Sequence, residues 1–425
     1  MKKLAILLVL VLLFVGCAQK PEEKPIETKT PAKEEVIKVG VIGPMNTVFG
    51  IAEKKAVMLA ADVINEEGGI LGKRVEVVWA STEMDSNKAA TALRHLIQDE
   101  GCKVIIGGFA SGVTIAIQPI IAETKTVWLA DGAAPSLTDC VVKDYEHYKY
   151  FFRAGTLNGT TFAYDIFDAL HNYFNGELKK NWTKVAIIRD DAKWAEGVAK
   201  ILKSMLEEHG YEIVMEEAVP RGTEDFSPIL LEAKNKHADV IITLLAHVDG
   251  IPLVKQWTDM KIKIPLLGHD LSAIFPTAWN SSDGKIDGEV FIATGGAIPI
   301  PLNDRAEWFL KLWKEKYGGY PDANTAYDMF DALFMYKWAV EQAAKAGERD
   351  PFNPDVVVKY LEKINASNPF KTVRGNFAFT KRHDPLWGDN YIRNWICQWQ
   401  DGKIVIIWPK NVATGEYRPP AWMSE

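Results

Sequence analysis

The residues best suited to chemistry in this 425-residue chain lie at Gly107, Gly108, Ser111 and Thr114, inside VIIGGFASGVTIAIQPIIAE (Val104 to Glu123). Two glycines followed closely by a serine suit the binding of an anion. Glycine lets the backbone turn sharply because it carries no Cβ. A helix opening there aims its first free N–H groups at one spot, and a serine hydroxyl adds a donor. The expected occupant is a ligand carboxylate. The alternative is that Ser111 only caps its own helix. The chain has no GxSxG, no HExxH and no GxxxxGK[ST] phosphate loop. No CxxC or His/Cys cluster argues for a metal. No catalytic residue, metal or cofactor is therefore expected, and the protein is read as a non-enzyme.

Such a loop needs a strand before it and a helix behind it. Val104–Ile106 reads as a buried strand of a parallel sheet. Ile115, Ile117, Ile120 and Ile121 fasten the following helix to that sheet. In open α/β sheets ligands sit outside the carboxyl ends of the strands. The same rhythm runs on both sides. IKVGVIGP is a strand, Phe49 to Glu67 a helix, VEVVWA a strand and Lys88 to Asp99 a helix. Thr126–Ala130 and Tyr150–Ala154 follow as strands. A second series runs from Thr160 to Thr294, with strands at Lys184–Arg189, Glu212–Glu216, Val240–Leu244, Pro265–Gly268 and Val290–Thr294. Alternating strands and helices imply βαβ units. The tail differs: long helices at Arg305–Tyr317 and Ala323–Ala346, then strands turned by Asp401-Gly402, a hairpin signal.

A net charge of −7 with no basic stripe argues against a nucleic-acid partner. The N-terminus has Lys2 and Lys3, then an apolar run from Leu4 to Val15. A bilayer span takes about 20 residues, so this shorter run reads as a signal peptide covering 1–16. Phe14-Val15-Gly16-Cys17 resembles the lipobox of exported lipoproteins, with Phe14 where leucine is usual. That resemblance implies lipidation of Cys17 and attachment to the membrane. Ordinary secretion is the alternative. Two acyl chains hold a protein stably where one is marginal. The rest of 17–35 is rich in Pro, Glu, Lys and Thr and reads as a disordered tether.

The folded part, about 36 to 410, resembles the substrate-binding proteins of ABC importers, in the type I group that includes Leu/Ile/Val binders. The residues carrying the likeness include KVGVIGP, INEEGGILGKRVEV, VIIGGFASG, AAPSL, FFRAG, KVAIIRDDAKWAEGVA, PLLGHD, TAYDMFDAL and RGNFAFTKRHD, in this order. The resemblance implies two Rossmann-like α/β lobes joined by a three-strand hinge, with crossings near Gly155, Gly284 and Lys371. Lobe one is 36–155 plus 285–370. Lobe two is 156–284 plus 371–425. A ligand binds between them, and the permease reads the closed form.

The resemblance also implies site residues. Ser111, Asp131, Ala133 and Ala134 fall in the lobe-one loops. Many amino-acid binders have threonine where this chain has Ala133. Trp194 stands where a tyrosine is common, and Asp270 where an acid meets the ligand's ammonium group. His247 lies beside a second aromatic position, and Tyr327 near the side-chain end. The alternative for His247, and the reading for His269, is a place behind the ligand contacts or at the surface, and Asp190 and Asp191 are read as caps of the Trp194 helix. The implied function is capture of a small polar solute, an amino acid of branched-chain type or related, at the outer face of the membrane. The alternative is an amide or aromatic-acid binder or sensor. Cys102 and Cys140 are a conceivable disulfide in an exported protein.

Overall fold

The structure, a computed structural model, describes residues 35–424. The expected signal peptide, Cys17 and the tether up to residue 34 lie outside the described residues. The first sheet contains β1 (Val36–Gly43), β2 (Arg74–Ser81), β3 (Val104–Gly107), β4 (Val127–Ala130) and β5 (Phe151–Arg153). Their order is β2-β1-β3-β4-β5, and every neighbouring pair is parallel. The second sheet begins with β6 (Lys184–Asp190), β7 (Glu212–Val219), β8 (Val240–Leu245), β9 (Leu266–Asp270) and β10 (Val290–Ala293). These run β7-β6-β8-β9-β10, again parallel, which is the order of the first sheet counted from its own first strand. β11 (Phe370–Thr372) and β12 (Gly375–Phe377) form a separate antiparallel ribbon. β13 (Trp395–Gln400) and β14 (Lys403–Trp408) then add antiparallel strands beside β10.

Sequence explains the layering. The central strands β3, β4 and β8 are buried along their whole length, whereas the edge strands β2 and β7 are part exposed. A parallel strand covered by helices on both faces must be apolar throughout. The Lys193–Glu208 helix buries Trp194, Ala195, Val198, Ala199, Leu202 and Leu206, a stripe spaced at three and four residues. The Val48–Glu66 and Asn324–Lys345 helices pack on one another against the first sheet. Asp401 and Gly402 both have left-handed φ, +50° and +79°, which matches the twist of the β13–β14 hairpin. No helix among the described residues is long and apolar enough to cross a membrane.

The chain passes between the sheets after β5, after β10, and between Asp384 and β13. The third passage is not at Lys371, because Phe379 N–H donates to Ile364 O (2.8 Å) and His383 O accepts from Arg153 N–H (2.9 Å), which keeps this segment on the first lobe until Trp387 Nε1–H reaches Asp165. The middle passage is not at Gly284. That glycine is a left-handed turn, φ +76°, just before β10, and β10 pairs with β9 and β13. Residues 285–293 therefore belong with the second sheet, and the first lobe's second segment begins after Ala293. Cys102, Cys140 and Cys397 are free. The conceivable Cys102–Cys140 pair does not form. Cys102 sits at the amino end of β3, whereas Cys140 Sγ faces Leu137 O beyond the carboxyl end of β4.

At the first passage Gly155 lies hard against buried groups. A Cβ there would overlap Asp131 Oδ1 and sit 2.6 Å from Met329 Cε. Gly155→Ala is expected to destabilise the fold by about 1–3 kcal/mol through overpacking. Gly112→Ala, where a Cβ meets nothing within 4 Å, should be neutral or slightly stabilising. Chemical denaturation of the two variants checks the contrast.

Candidate ligand-binding cleft

The carboxyl ends of the two parallel sheets face one another. On the first lobe, β3 runs into Gly107 and Gly108, with φ of +101° and +150°. A Cβ at Gly107 would overlap Ile42 O, so only glycine fits the turn. Phe109 follows with φ +62°, a strained conformation for a bulky residue. The helix begins at Ser111, preceded by Ala110, which supplies no side-chain cap. Thr114 N–H donates to Ala110 O at 3.0 Å. The N–H groups of Ser111, Gly112 and Val113 precede it and have no intrahelical acceptor. Ser111 Oγ accepts from Ala134 N–H at 3.0 Å. The hydroxyl thus ties the neighbouring loop instead of capping its own helix, and its proton stays available to a ligand.

That neighbouring loop, 131–134, is held from below. Arg153 is fully buried and donates to Gly132 O (2.6 Å), Ala134 O (2.7 Å) and Asp384 Oδ1 (2.8 Å). Asp131 Oδ1 accepts from Gly132 N–H at 2.7 Å and Thr156 N–H at 2.8 Å. Burial pushes the Asp131 carboxyl up, and the two backbone donors, Arg374 and Arg153 oppose it.

On the second lobe, Asp190 at the end of β6 does the corresponding work. It accepts from Trp194 Nε1–H (2.9 Å) and from the N–H groups of Ala246 (3.0 Å), His247 (2.8 Å) and Val248 (3.1 Å). It does not cap the following helix, whose N-cap is Ala192, and Asp191 is exposed. The reason is distance in the fold: the loop after β8 brings unpaired N–H groups to Asp190 that the sequence does not reveal. His247 packs its ring 5.5 Å from that of Phe109, across the cleft. Burial holds His247 below its ordinary pKa, against the pull of Asp190.

Two adjoining voids lie between these walls and share Ser111, Trp194 and His247. The outer one, about 270 Å³, runs between the 111–113 turn and Asp190, Arg221 and Val248. The inner one is about 30 Å³, room for a water-sized group. Asp131, Ala133, Thr156, Phe162, His269, Thr294 and Asn324 line it. Three of its polar atoms are buried with no partner among the described residues: His269 Nδ1, Asn324 Oδ1 and Thr294 Oγ1. Asn324 Nδ2 donates to Asp328 Oδ2 at 2.9 Å, which fixes its oxygen as the free atom. Burial pushes the His269 imidazole down to about 3, so it is neutral, and its bond to the Ile292 backbone opposes this only in part. With Nδ1 unpaired, Nε2 carries the proton toward Ile292, leaving Nδ1 as an acceptor.

Ser111, Asp131, Ala133, Trp194 and His247 thus come together, and Ala134 backs them from one layer below. Asp270 and Tyr327 do not join them. Asp270 alternates with His269 along β9, so its side chain faces the lobe interior, against Gly250 and the N–H of Ser272 (2.9 Å). There it meets Glu289, also fully buried. His269 faces the cleft instead of lying behind it. Tyr327 packs on Phe309, ring centroids 5.3 Å apart, one turn past Asn324. Phe109, Thr156, Phe162, Thr294 and Asn324 were not anticipated. Their only sequence signal is position: each follows a strand end or opens a helix.

Residues 36–403 match the family described as periplasmic binding protein. The chain belongs to that family. Its members are solute-binding proteins rather than enzymes, and the two-lobe flytrap is their fold. Leu/Ile/Val-binding protein homolog 1 of Brucella abortus (strain 2308) is 27% identical over 362 residues, covering 82% of this chain and 86% of that protein. Among solved structures, the substrate-binding protein LivJ of Streptococcus pneumoniae, in complex with isoleucine, superposes with a TM-score of 0.70 at 23% identity, over 87% of this chain and 98% of that one. A solute-binding protein of R. palustris in complex with 4-hydroxybenzoate gives a TM-score of 0.72 at 21% identity, over 91% and 98%. These two structural likenesses are likenesses of fold.

The Asp270–Glu289 contact makes stability depend on pH. Burial pushes Asp270 up to about 7 and Glu289 well above its ordinary value. An unfolded aspartate titrates near about 3.9. Between these values the native protein keeps a proton that the unfolded chain releases, so this group's contribution falls as pH rises from about 4 to about 7. Asp270→Asn is expected to flatten that fall, read as melting temperature against pH. An unchanged slope would show that Asp270 is not a source of it.

Proposed function

We propose that this chain is the extracytoplasmic solute-binding component of an ABC importer and captures an amino acid of branched-chain type. The observation that carries the reading is the composition of the closed cleft. At one side stand the free N–H groups of the 111–113 turn and the Ser111 hydroxyl, suited to a carboxylate. At the other stand two buried acceptors, His269 Nδ1 and Asn324 Oδ1, and the Thr294 hydroxyl, which can accept as well as donate, with Asp131 the one acid lining that void. A primary ammonium group has three N–H donors and no acceptor, which complements such a set. Trp194 and Phe162 cover the apolar part. The Leu/Ile/Val-binding relative and the isoleucine complex are consistent with this chemistry. The second reading is an aromatic acid, supported by the Phe109, Phe162 and Trp194 rings and by the 4-hydroxybenzoate complex. The unpaired acceptors favour the amine-bearing ligand. In this reading Cys17 carries the lipid anchor, the tether lets the lobes reach a permease, and the ligand ends are held by Ser111, Asp131, Ala133, Trp194 and His247.

Binding raises thermal stability in proportion to affinity. Isoleucine, leucine or valine should raise the melting temperature, with 3-methylpentanoate, which lacks the amine, much weaker. A shift with 4-hydroxybenzoate and none with the amino acids would select the second reading. Ser111→Ala should weaken binding about tenfold or more, about 1.4 kcal/mol. For the anchor, Cys17→Ala should move the protein from the membrane to the soluble fraction. A mature N-terminus that lies downstream of Cys17 and bears no lipid would end that part of the proposal.

A further inference from the structure

Arg374 stands out among the buried groups that no ligand contact uses. Its side chain is almost wholly enclosed, and it sits against the first two passages between the lobes. It lies in the turn between β11 and β12, on the first-lobe side of the third passage. Its Nη2 donates to Gly155 O at 2.9 Å and Ala154 O at 3.3 Å, on the first passage. Its Nη1 lies where a Cβ on Gly295 would come within 2.9 Å, on the second passage. Gly295 has φ +56°, a conformation that suits glycine and brings the backbone against the guanidinium. One planar, always-charged fork therefore bridges the first and second connections.

The same guanidinium is wired to the cleft. Arg374 Nη1 lies 2.6 Å from Asp328 Oδ1, a buried ion pair on the Asn324–Lys345 helix. Asp328 Oδ2 accepts from Asn324 Nδ2 at 2.9 Å, and Asn324 Oδ1 is the unpaired atom facing the inner void. Cleft, Asn324, Asp328, Arg374 and hinge are thus consecutive direct contacts within one buried chain.

We infer that Arg374 is the pin of the hinge and that a ligand donor at Asn324 Oδ1 reports occupancy to it through Asp328. A donor there polarises Asn324 and firms its grip on Asp328, which fixes the carboxylate that holds Arg374 over the passages. Without the pin, the torsions at Gly155 and Gly295 lose their shared partner, and the lobes open more readily. Ligand affinity falls because the competent closed state is less populated. Arg374 is a positioning residue in this scheme and touches no ligand. The inference rests on the solute-binding reading for its ligand.

The test uses the full folded chain with isoleucine as probe and a pair of fluorophores, one per lobe. Arg374→Lys keeps the charge and loses the fork. It should shift the unliganded inter-lobe distance toward the open value, weaken isoleucine about tenfold, and act mainly on the dissociation rate. Asn324→Leu and Arg374→Lys should be non-additive in a double-mutant cycle of affinity. Asp328→Asn supplies an independent break should the lysine variant fold poorly. A folded Arg374→Lys or Asp328→Asn protein with unchanged lobe distances and affinity overturns the inference. Strict additivity of Asn324 and Arg374 overturns the link to the cleft. If isoleucine fails to bind wild type, 4-hydroxybenzoate serves as the probe. If that also fails, the solute-binding reading falls, whereas altered lobe distances in the variants still support the pin.

Discussion

In each lobe a buried carboxylate gathers the backbone N–H groups of the loops that wall the cleft. Asp190 takes three backbone donors and the Trp194 indole in the second lobe. Asp131 takes two in the first, and Glu53 Oε1 accepts from Gly108 N–H at 3.2 Å beneath the same turn. The constraint is general: a loop leaving a parallel strand exposes donors that no sheet partner can satisfy, and a buried unpaired donor is costly. Acids placed under these loops satisfy them from behind. The loops are then rigid without using the atoms that face the cleft, so those atoms stay open to a ligand.

The same arrangement leaves polar groups facing the cleft on both lobes. The first presents helix-end N–H groups and a hydroxyl, which are donors. Both lobes also hold polar atoms that remain unpaired among the described residues: His269 Nδ1 on the second, and Thr294 Oγ1 and Asn324 Oδ1 on the first lobe's second segment. The Phe109–His247 contact lies across the boundary between the lobes. The strained backbone of Phe109 is held by the packing around it, including its ring stacked on Phe49 at 4.1 Å.

Much of this was readable beforehand. Central apolar runs, glycine punctuation and helical stripes marked the strands and helices to within a few residues. The Ser111 turn was recognisable because glycine and serine have narrow physical reasons to stand there. The errors were errors of direction. Asp270 and His269 are adjacent, and successive strand side chains point to opposite faces, so a one-residue difference decides which enters the cleft. Tyr327 and Asn324 share a helix, yet only the residue at its start reaches the void. The crossing near Gly284 was implied by the family resemblance, and such a likeness does not settle within about ten residues which sheet the next strand joins.

The sequence by itself determined the strand and helix types, their order, the twofold βα rhythm and the loop able to hold an anion. These depend on local propensity and on residues within a few positions of one another. Only the tertiary structure decided which polar groups are spent and which are free. Asp190 is consumed by a loop more than fifty residues away, Asn324 is oriented by Asp328, and Arg374 is enclosed against the first two passages. Whether a buried polar atom has a partner depends on contacts between distant segments, and it is that accounting which separates a ligand contact from a structural one.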